Sequence, residues 1–285
     1  MRHTEGNFSS IDRTRLYFQS WYPEQAYKAT LAIVHGAGEH CGRYANVVNY
    51  FVDRDYALYG FDLRGHGRSG GRKSHVSGWQ QYRDDLRCFL QLVRQQNPDK
   101  PLFLYGHSMG AQIALDYLAF NGESLAGCKP ISALIASSPA LAQPDVSPWL
   151  LRLGKLLAVF WPLVTLQNGI DVQGISRDPQ VVRAYREDSL VSSKISARFG
   201  VEFMDCIERV QLNASKIGIP LFMFHGEADR IIPVAGTRQF FDRISSTEKK
   251  LKIYPDGFHE PHNDLQKREV FEDVEKWLGT RLGFE

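Results

Sequence analysis

The 285-residue sequence has few cysteines, no excess of either charge and no long apolar run. Its four cysteines, Cys41, Cys88, Cys128 and Cys206, are scattered and form no C-x-x-C pair. That excludes the usual zinc-finger spacings, and no metal site is expected. Four isolated thiols in a chain of this length do not make a disulfide framework, so free thiols in a reducing cytosol are expected. Basic residues (34) nearly balance acidic ones (32). There is thus no concentrated basic face, and nucleic acid is not expected as a partner. The N-terminal MRHTEGNFSSIDRTRLYFQSWYP is polar and lacks the apolar run of a secretory signal. No uncharged stretch reaches the roughly 18–20 residues of a membrane span. The expected location is the cytoplasm, with at most peripheral membrane contact.

What the chain does have is apolar material: 43% hydrophobic and 12% aromatic residues. This suffices for one large core, or a core carrying an inserted unit. Short apolar runs recur: Leu31 to Val34, YALYGFDL ending near Asp62, PLFLYGHS, ISALIASSP (131–139), IPLFMFHGE (219–227) and LKIYPDGFHE from Leu251. Runs apolar on both faces suit parallel strands covered on each side by helices. Helical patterns fall between them. Trp79 to Gln96 spaces Leu86, Phe89, Leu90 and Val93 on one face; Met109 to Phe120 follows PLFLY; Arg268 to Leu282 aligns Val270, Phe271, Val274, Trp277 and Leu278. The alternation predicts a doubly wound, mostly parallel α/β sheet. LYFQSWYP is expected as an antiparallel edge strand. From about 140 to 207 the strand-like runs cease. This stretch reads as a helical cap inserted into a core formed by 1–139 and 208–285.

Gly106-His107-Ser108-Met109-Gly110 matches G-x-S-x-G. Alone this pentapeptide says little. Here it follows an apolar strand and opens a helix, the setting of the nucleophile elbow in the α/β-hydrolase fold. The helix N-terminus favours developing negative charge at Ser108. A serine nucleophile needs a base, and the base an orienting acid, in the chain order Ser, Asp or Glu, His. Asp229 in GEADRIIP and His259 in DGFHEPH each follow a predicted strand, which puts them on the same sheet edge as Ser108. Ser108, Asp229 and His259 are therefore the expected catalytic residues. The oxyanion of the tetrahedral intermediate needs preorganised donors. The N–H groups of Met109 and of Ala37, in His35-Gly36-Ala37-Gly38, are in position to supply them. Glu39 and Arg43 can form an internal ion pair that shapes their loop, and His262 can be a loop histidine. His35 and His40 read as structural. GHGRSGG lacks the P-loop lysine and reads as a turn.

HGAGEHCGRY, FDLRGHGRSGG, GHSMGA, ADRIIP and GFHEPHND together resemble the monoacylglycerol lipases and related lysophospholipases, from about Lys28 to Leu282. Ala111 departs from the family's usual glycine. The resemblance implies the triad Ser108, Asp229 and His259, with Ala37 and Met109 as the oxyanion hole. It implies that Glu39, Arg43 and His262 surround a glycerol head group, with Tyr185 near the same pocket. The implied activity is hydrolysis of a monoacylglycerol, or a similar single-chain lipid ester, through an acyl-enzyme. No metal or organic cofactor is implied. Within the cap, Trp149 to Leu166 carries Leu150, Leu153, Leu157 and Trp161 with Arg152 and Lys155 between them. Such a basic amphipathic helix lies in a membrane interface, lines an acyl tunnel or packs on the core, and Pro162 should end or kink it. A lysophospholipase, a carboxylesterase for small esters and a non-catalytic binding protein are the competing readings. A dehalogenase would need a carboxylate in place of Ser108.

Overall fold

The computed structural model describes residues 1–125, 129–143 and 147–283; Cys128 lies outside them. Strands β1 (Arg2–Ser9), β2 (Arg15–Tyr22), β3 (Ala29–Val34), β4 (Tyr56–Phe61), β5 (Leu102–His107) and β6 (Ala133–Ser137) enter the main sheet before the insertion. The insertion carries the short strands β7 (Thr165–Gln167) and β8 (Lys194–Ser196), and β9 (Leu221–Gly226) and β10 (Lys249–Tyr254) complete the main sheet. The helices are α1 (Ala45–Val52), α2 (Gln80–Gln96), α3 (Met109–Asn121), α4 (Pro148–Phe160), α5 (Pro179–Glu187), α6 (Ala197–Leu212), α7 (Val234–Arg243) and α8 (Lys267–Leu282). The main sheet has the order β1-β2-β4-β3-β5-β6-β9-β10. It is antiparallel at β1–β2 and β2–β4 and parallel from β4 to β10.

Successive strand residues go to opposite faces. Leu102 and Leu104 join a core with α2, α3, α6 and α7, while Phe103 and Tyr105 join one with α1 and α8. Leu221 and Met223 divide from Phe222 and Phe224 in the same way. Both faces are thus apolar and covered, as the unbroken runs require. Burying each such Leu or Phe contributes about 1.5–3 kcal/mol.

Two expectations need correction. LYFQSWYP is antiparallel but not the edge, because β1 pairs along its whole length. β1 was concealed by its composition: of RHTEGNFS only Gly6 and Phe8 are even partly buried. The insertion between β6 and β9 is also not purely helical. β7 and β8 form an antiparallel ribbon, and α6 runs on to Leu212. A three-residue strand is too short to display a period. α4 stops at Phe160, before Pro162, whose ring excludes helix in the residue ahead of it.

The elbow after β5 depends on close packing. A Cβ on Gly110 would fall 2.0 Å from the Val34 carbonyl oxygen, and one on Gly106 would fall 2.5 Å from Ala111 Cα. Neither position has room for a side chain. Close approach of α3 to β3 and β5 is what throws Ser108 outward.

Candidate active site

Ser108 bridges β5 and α3 with φ 51° and ψ −118°, a backbone that L-residues other than glycine rarely adopt. The surroundings hold it there. Its N–H donates to Ser137 O (2.9 Å), and its carbonyl accepts from Gln112 N (3.1 Å) and Ala140 N (3.2 Å). Ser137 ends β6, so the neighbouring strand fixes the elbow directly.

His259 Nε2 lies 3.0 Å from Ser108 Oγ, and His259 Nδ1 lies 2.7 Å from Asp229 Oδ2. The carboxylate requires the proton on Nδ1, which leaves Nε2 to accept from the serine hydroxyl. Asp229 has no side-chain exposure. Its Oδ1 accepts the N–H groups of Ile231 (2.8 Å) and Ile232 (3.0 Å). Burial alone would raise its pKa. The charge of His259 and the hydrogen bonds from His225 and His259 outweigh burial and hold it well below the usual carboxylate range. For His259, burial favours the neutral ring, but the charge of Asp229 and its hydrogen bond prevail, and the pKa is raised.

The loop that carries His259 is pinned by the insertion between β6 and β9. Gly174 O accepts His259 N–H (3.2 Å) and Ile175 O accepts Glu260 N–H (2.8 Å). Asp264, fully buried, accepts Phe258 N–H (2.9 Å) and both the backbone and Nε donors of Arg177.

The Ala37 loop is held as firmly. His35 Nε2 accepts Leu63 N–H (2.9 Å), so Nδ1 carries the proton and donates to Gly36 O (2.7 Å). Burial keeps this ring neutral, with His66 adding to the effect. The Gly36 carbonyl and the Ala37 N–H share one planar peptide and point opposite ways. Fixing the carbonyl therefore aims the N–H, which finds no acceptor among the described residues. Gly36 passes beside Ser108, since a Cβ there would lie 3.3 Å from Ser108 Cβ. Met109 begins α3, so its N–H has no intrahelical acceptor.

Glu39, Arg43, Tyr185 and Glu260 form a polar cluster in the lining of a cavity of about 670 Å³ that Ser108 and His259 also line. Arg43 Nη1 donates to Glu39 Oε2 (2.6 Å) and Glu260 Oε1 (2.8 Å), and Nη2 donates to Glu260 Oε2 (2.8 Å). The Arg43 guanidinium also sits 4.5 Å from the centre of the Tyr185 ring. Burial and the neighbouring Glu260 push the Glu39 pKa up against the pull of Arg43. For Glu260, the charge and hydrogen bonds of Arg43 overcome burial and hold it at about 2. Leu166, Ile170, Ile195, Phe199, Phe203 and Met204 supply apolar walls to the same cavity.

His262 does not belong to the cavity wall. It is fully buried, stacked 5.0 Å from the Tyr44 ring and edge-on to His107, and neither ring nitrogen has a partner among the described residues. Burial pushes its pKa down to about 4. Besides His259, the residue of that segment facing the cavity is Glu260, which sequence reasoning missed. His225 was missed too: it ends the apolar run IPLFMFHGE, and its Nε2 lies 2.9 Å from Asp229 Oδ2. His40 links the Ala37 loop to the cap through Asp188 Oδ2 (2.8 Å).

The protein family described as serine aminopeptidase, S33, matches residues 25–266 of this chain. The chain belongs to that family. Its fold is the α/β-hydrolase fold. It is 33% identical to a monoacylglycerol lipase of Mycolicibacterium smegmatis over 282 residues, 98% of both chains. It is 30% identical to the monoglyceride lipase of Mus musculus over 276 residues, 96% of this chain and 89% of that one. The structure superposes on the monoacylglycerol lipase of Paleococcus ferrophilus with a TM-score of 0.81 at 28% identity, covering 99% of this chain and all of the other. A soluble variant of Saccharomyces cerevisiae monoglyceride lipase in complex with a substrate analog gives 0.86 at 25%, covering 98% and 94%.

The arrangement allows His259 to draw a proton from Ser108 only while its ring is neutral. The kcat/KM for a soluble ester should therefore fall as pH drops, with a midpoint above the ordinary histidine value of 6.5. Asp229→Asn should lower kcat about 10⁴-fold through the wrong tautomer. A wild-type rate that is flat down to pH 5, or an active Asp229→Asn enzyme, would contradict this geometry.

Proposed function

We propose that the protein hydrolyses the ester bond of monoacylglycerols to glycerol and a fatty acid, with Ser108, His259 and Asp229 as its catalytic triad. Ser108 Oγ attacks the ester carbonyl carbon as its proton passes to His259 Nε2. The carbonyl oxygen becomes an oxyanion held by the N–H groups of Ala37 and Met109. Collapse breaks the bond to the glycerol oxygen, which takes the proton from His259. Water then attacks the acyl-enzyme by the same route, releasing the fatty acid and restoring Ser108.

The observation that carries this reading is the cavity lining, which brings Ser108 and His259 together with the Glu39–Arg43–Glu260 cluster and a set of apolar side chains. Insertion residues, including those of the 140–207 cap, supply much of the apolar side. In this cluster two carboxylates share one guanidinium, so Arg43 has no charge to spare. Glycerol hydroxyls can donate to carboxylate oxygens there, whereas a phosphate would meet net negative charge. At about 4 Å and an effective dielectric near 20, that repulsion is about 4 kcal/mol. This favours a neutral head group over the anionic lysophospholipids.

Ser108→Ala should abolish turnover while leaving the fold intact. In a substrate panel, long-chain monoacylglycerols should exceed lysophosphatidic acid at least about 100-fold in kcat/KM, a discrimination of about 2.7 kcal/mol. Turnover confined to butyryl esters would replace the lipase with a small-ester esterase. Preference for aminoacyl anilides would replace it with the peptidase that the family's description names.

The outer face of α4 supports docking on a lipid surface. Trp149, Leu156, Val159 and Phe160, with Trp161 just beyond, are largely exposed, and Arg152 and Lys155 lie exposed among them. Among the described residues no helix is long and apolar enough to cross a membrane. A cytoplasmic protein meeting membranes through α4 fits both facts. Phe160→Ser/Trp161→Ser should weaken sedimentation with phosphatidylcholine–phosphatidylglycerol vesicles while sparing hydrolysis of a soluble ester. Equal vesicle binding by both proteins would remove α4 from this role.

A further inference from the structure

Asp229 is shared by two histidines. His225, in β9, has no solvent exposure, and its Nε2 lies 2.9 Å from Asp229 Oδ2 and 3.0 Å from Ile232 O. A ring nitrogen facing two acceptors must carry the proton. Its Nδ1, 2.8 Å from Thr237 Oγ1 in α7, then accepts from the threonine hydroxyl. A directed chain results. Thr237 donates to His225, His225 donates to Asp229 Oδ2, and the same Oδ2 accepts from His259, which accepts from Ser108. Oδ1 is saturated by the Ile231 and Ile232 amides, so His225 and His259 compete for one oxygen.

We infer that His225 is a positioning residue for the catalytic acid: it holds Oδ2 toward His259 and draws off part of that oxygen's charge, which sets how basic His259 is. The inference rests on the triad proposed above. The other titratable or charged groups that bear on His259 are Glu260 of its own loop, Glu39 after β3, and the neutral His107 and His262, on which Arg43 acts in turn. None of them touches His225 among the described contacts, so a change at His225 reaches His259 through Asp229.

The direction of the effect follows. Removing the His225 donor leaves Oδ2 to His259 alone, which stabilises protonated His259 and moves the acid limb of the rate profile to higher pH. It also frees the carboxylate to turn, which lowers kcat without touching the substrate cavity. His225→Phe should therefore lose about 10- to 100-fold in kcat, by analogy with the loss of outer hydrogen-bond partners of metal-bound histidines. KM for p-nitrophenyl butyrate should stay within about 2-fold, since no substrate contact is altered. His225→Gln places an amide N–H where Nε2 stood and should restore most of the rate and the wild-type limb. Thr237→Val, which keeps the ring but removes its acceptor-side partner, should shift the limb the same way by less. It carries the test if His225→Phe yields no folded protein.

Profiles of kcat and kcat/KM from pH 5 to 9 on the four proteins, with thermal midpoints for each, decide the matter. An acid limb unmoved in His225→Phe and Thr237→Val, with only the thermal midpoint lowered, makes His225 a packing residue and overturns the inference. So does a Gln variant no better than the Phe variant. If Asp229→Asn is itself fully active, the triad reading has failed; if it is inactive while His225→Phe is normal, only this inference has.

Discussion

One buried negative charge organises the site. Asp229 has no exposure, and an ionised carboxylate out of water is tolerated only when its lone pairs are met by donors. Four donors meet it: the amides of Ile231 and Ile232 and the rings of His225 and His259. Each also has a consequence elsewhere. The amides fix the turn after β9, His225 ties that turn to α7, and His259 is held in the tautomer that can accept from Ser108. The charge that would be a liability in a plain core keeps the base poised.

Ser108, the proposed nucleophile, poses the opposite problem, strain rather than charge. Ser108 occupies a backbone region costing of order 1–3 kcal/mol, and it stays there because α3 approaches β3 too closely for any side chain at Gly110. Ser137 and Ala140 close the remaining hydrogen bonds. Further supports come from the insertion. Gly174 and Ile175 accept the amides of His259 and Glu260, and Asp188 accepts from His40. That part of the insertion is thus bonded into the site, while α4 presents apolar side chains to solvent.

How much of this was legible in the chain depended on the range of the interactions. Strand ends are local: a six-residue apolar run stopping at a Gly-rich turn marks where a side chain leaves the sheet. Ser108, Asp229, His259 and Ala37 were singled out that way, and the structure brings them together. Glu39 and Arg43, one helical turn apart, were also within reach, and so was Tyr185 through resemblance. Glu260 was not, because its partner Arg43 lies 217 residues away and only the folded sheet brings them together. His225 was hidden inside a run apolar on both faces, where a histidine looks like filler. His262 misled for the converse reason: a loop position beside the active histidine suggests access, but the loop turns its ring inward against Tyr44 and His107. β1 escaped because an edge strand needs hydrogen bonds more than hydrophobicity.

The substrate reading follows from the same electrostatics. Two carboxylates around one committed guanidinium favour hydroxyls over phosphate in the proposed reading, and apolar side chains of the same cavity would take the acyl chain. The most direct measurement is the intact mass of the protein, acid-quenched during turnover of a long-chain monoacylglycerol, followed by peptide mapping. A mass increase equal to the acyl group minus one hydrogen, located on Ser108, is the predicted result. Sustained fatty-acid release from a protein that carries the acyl group on another residue would contradict it.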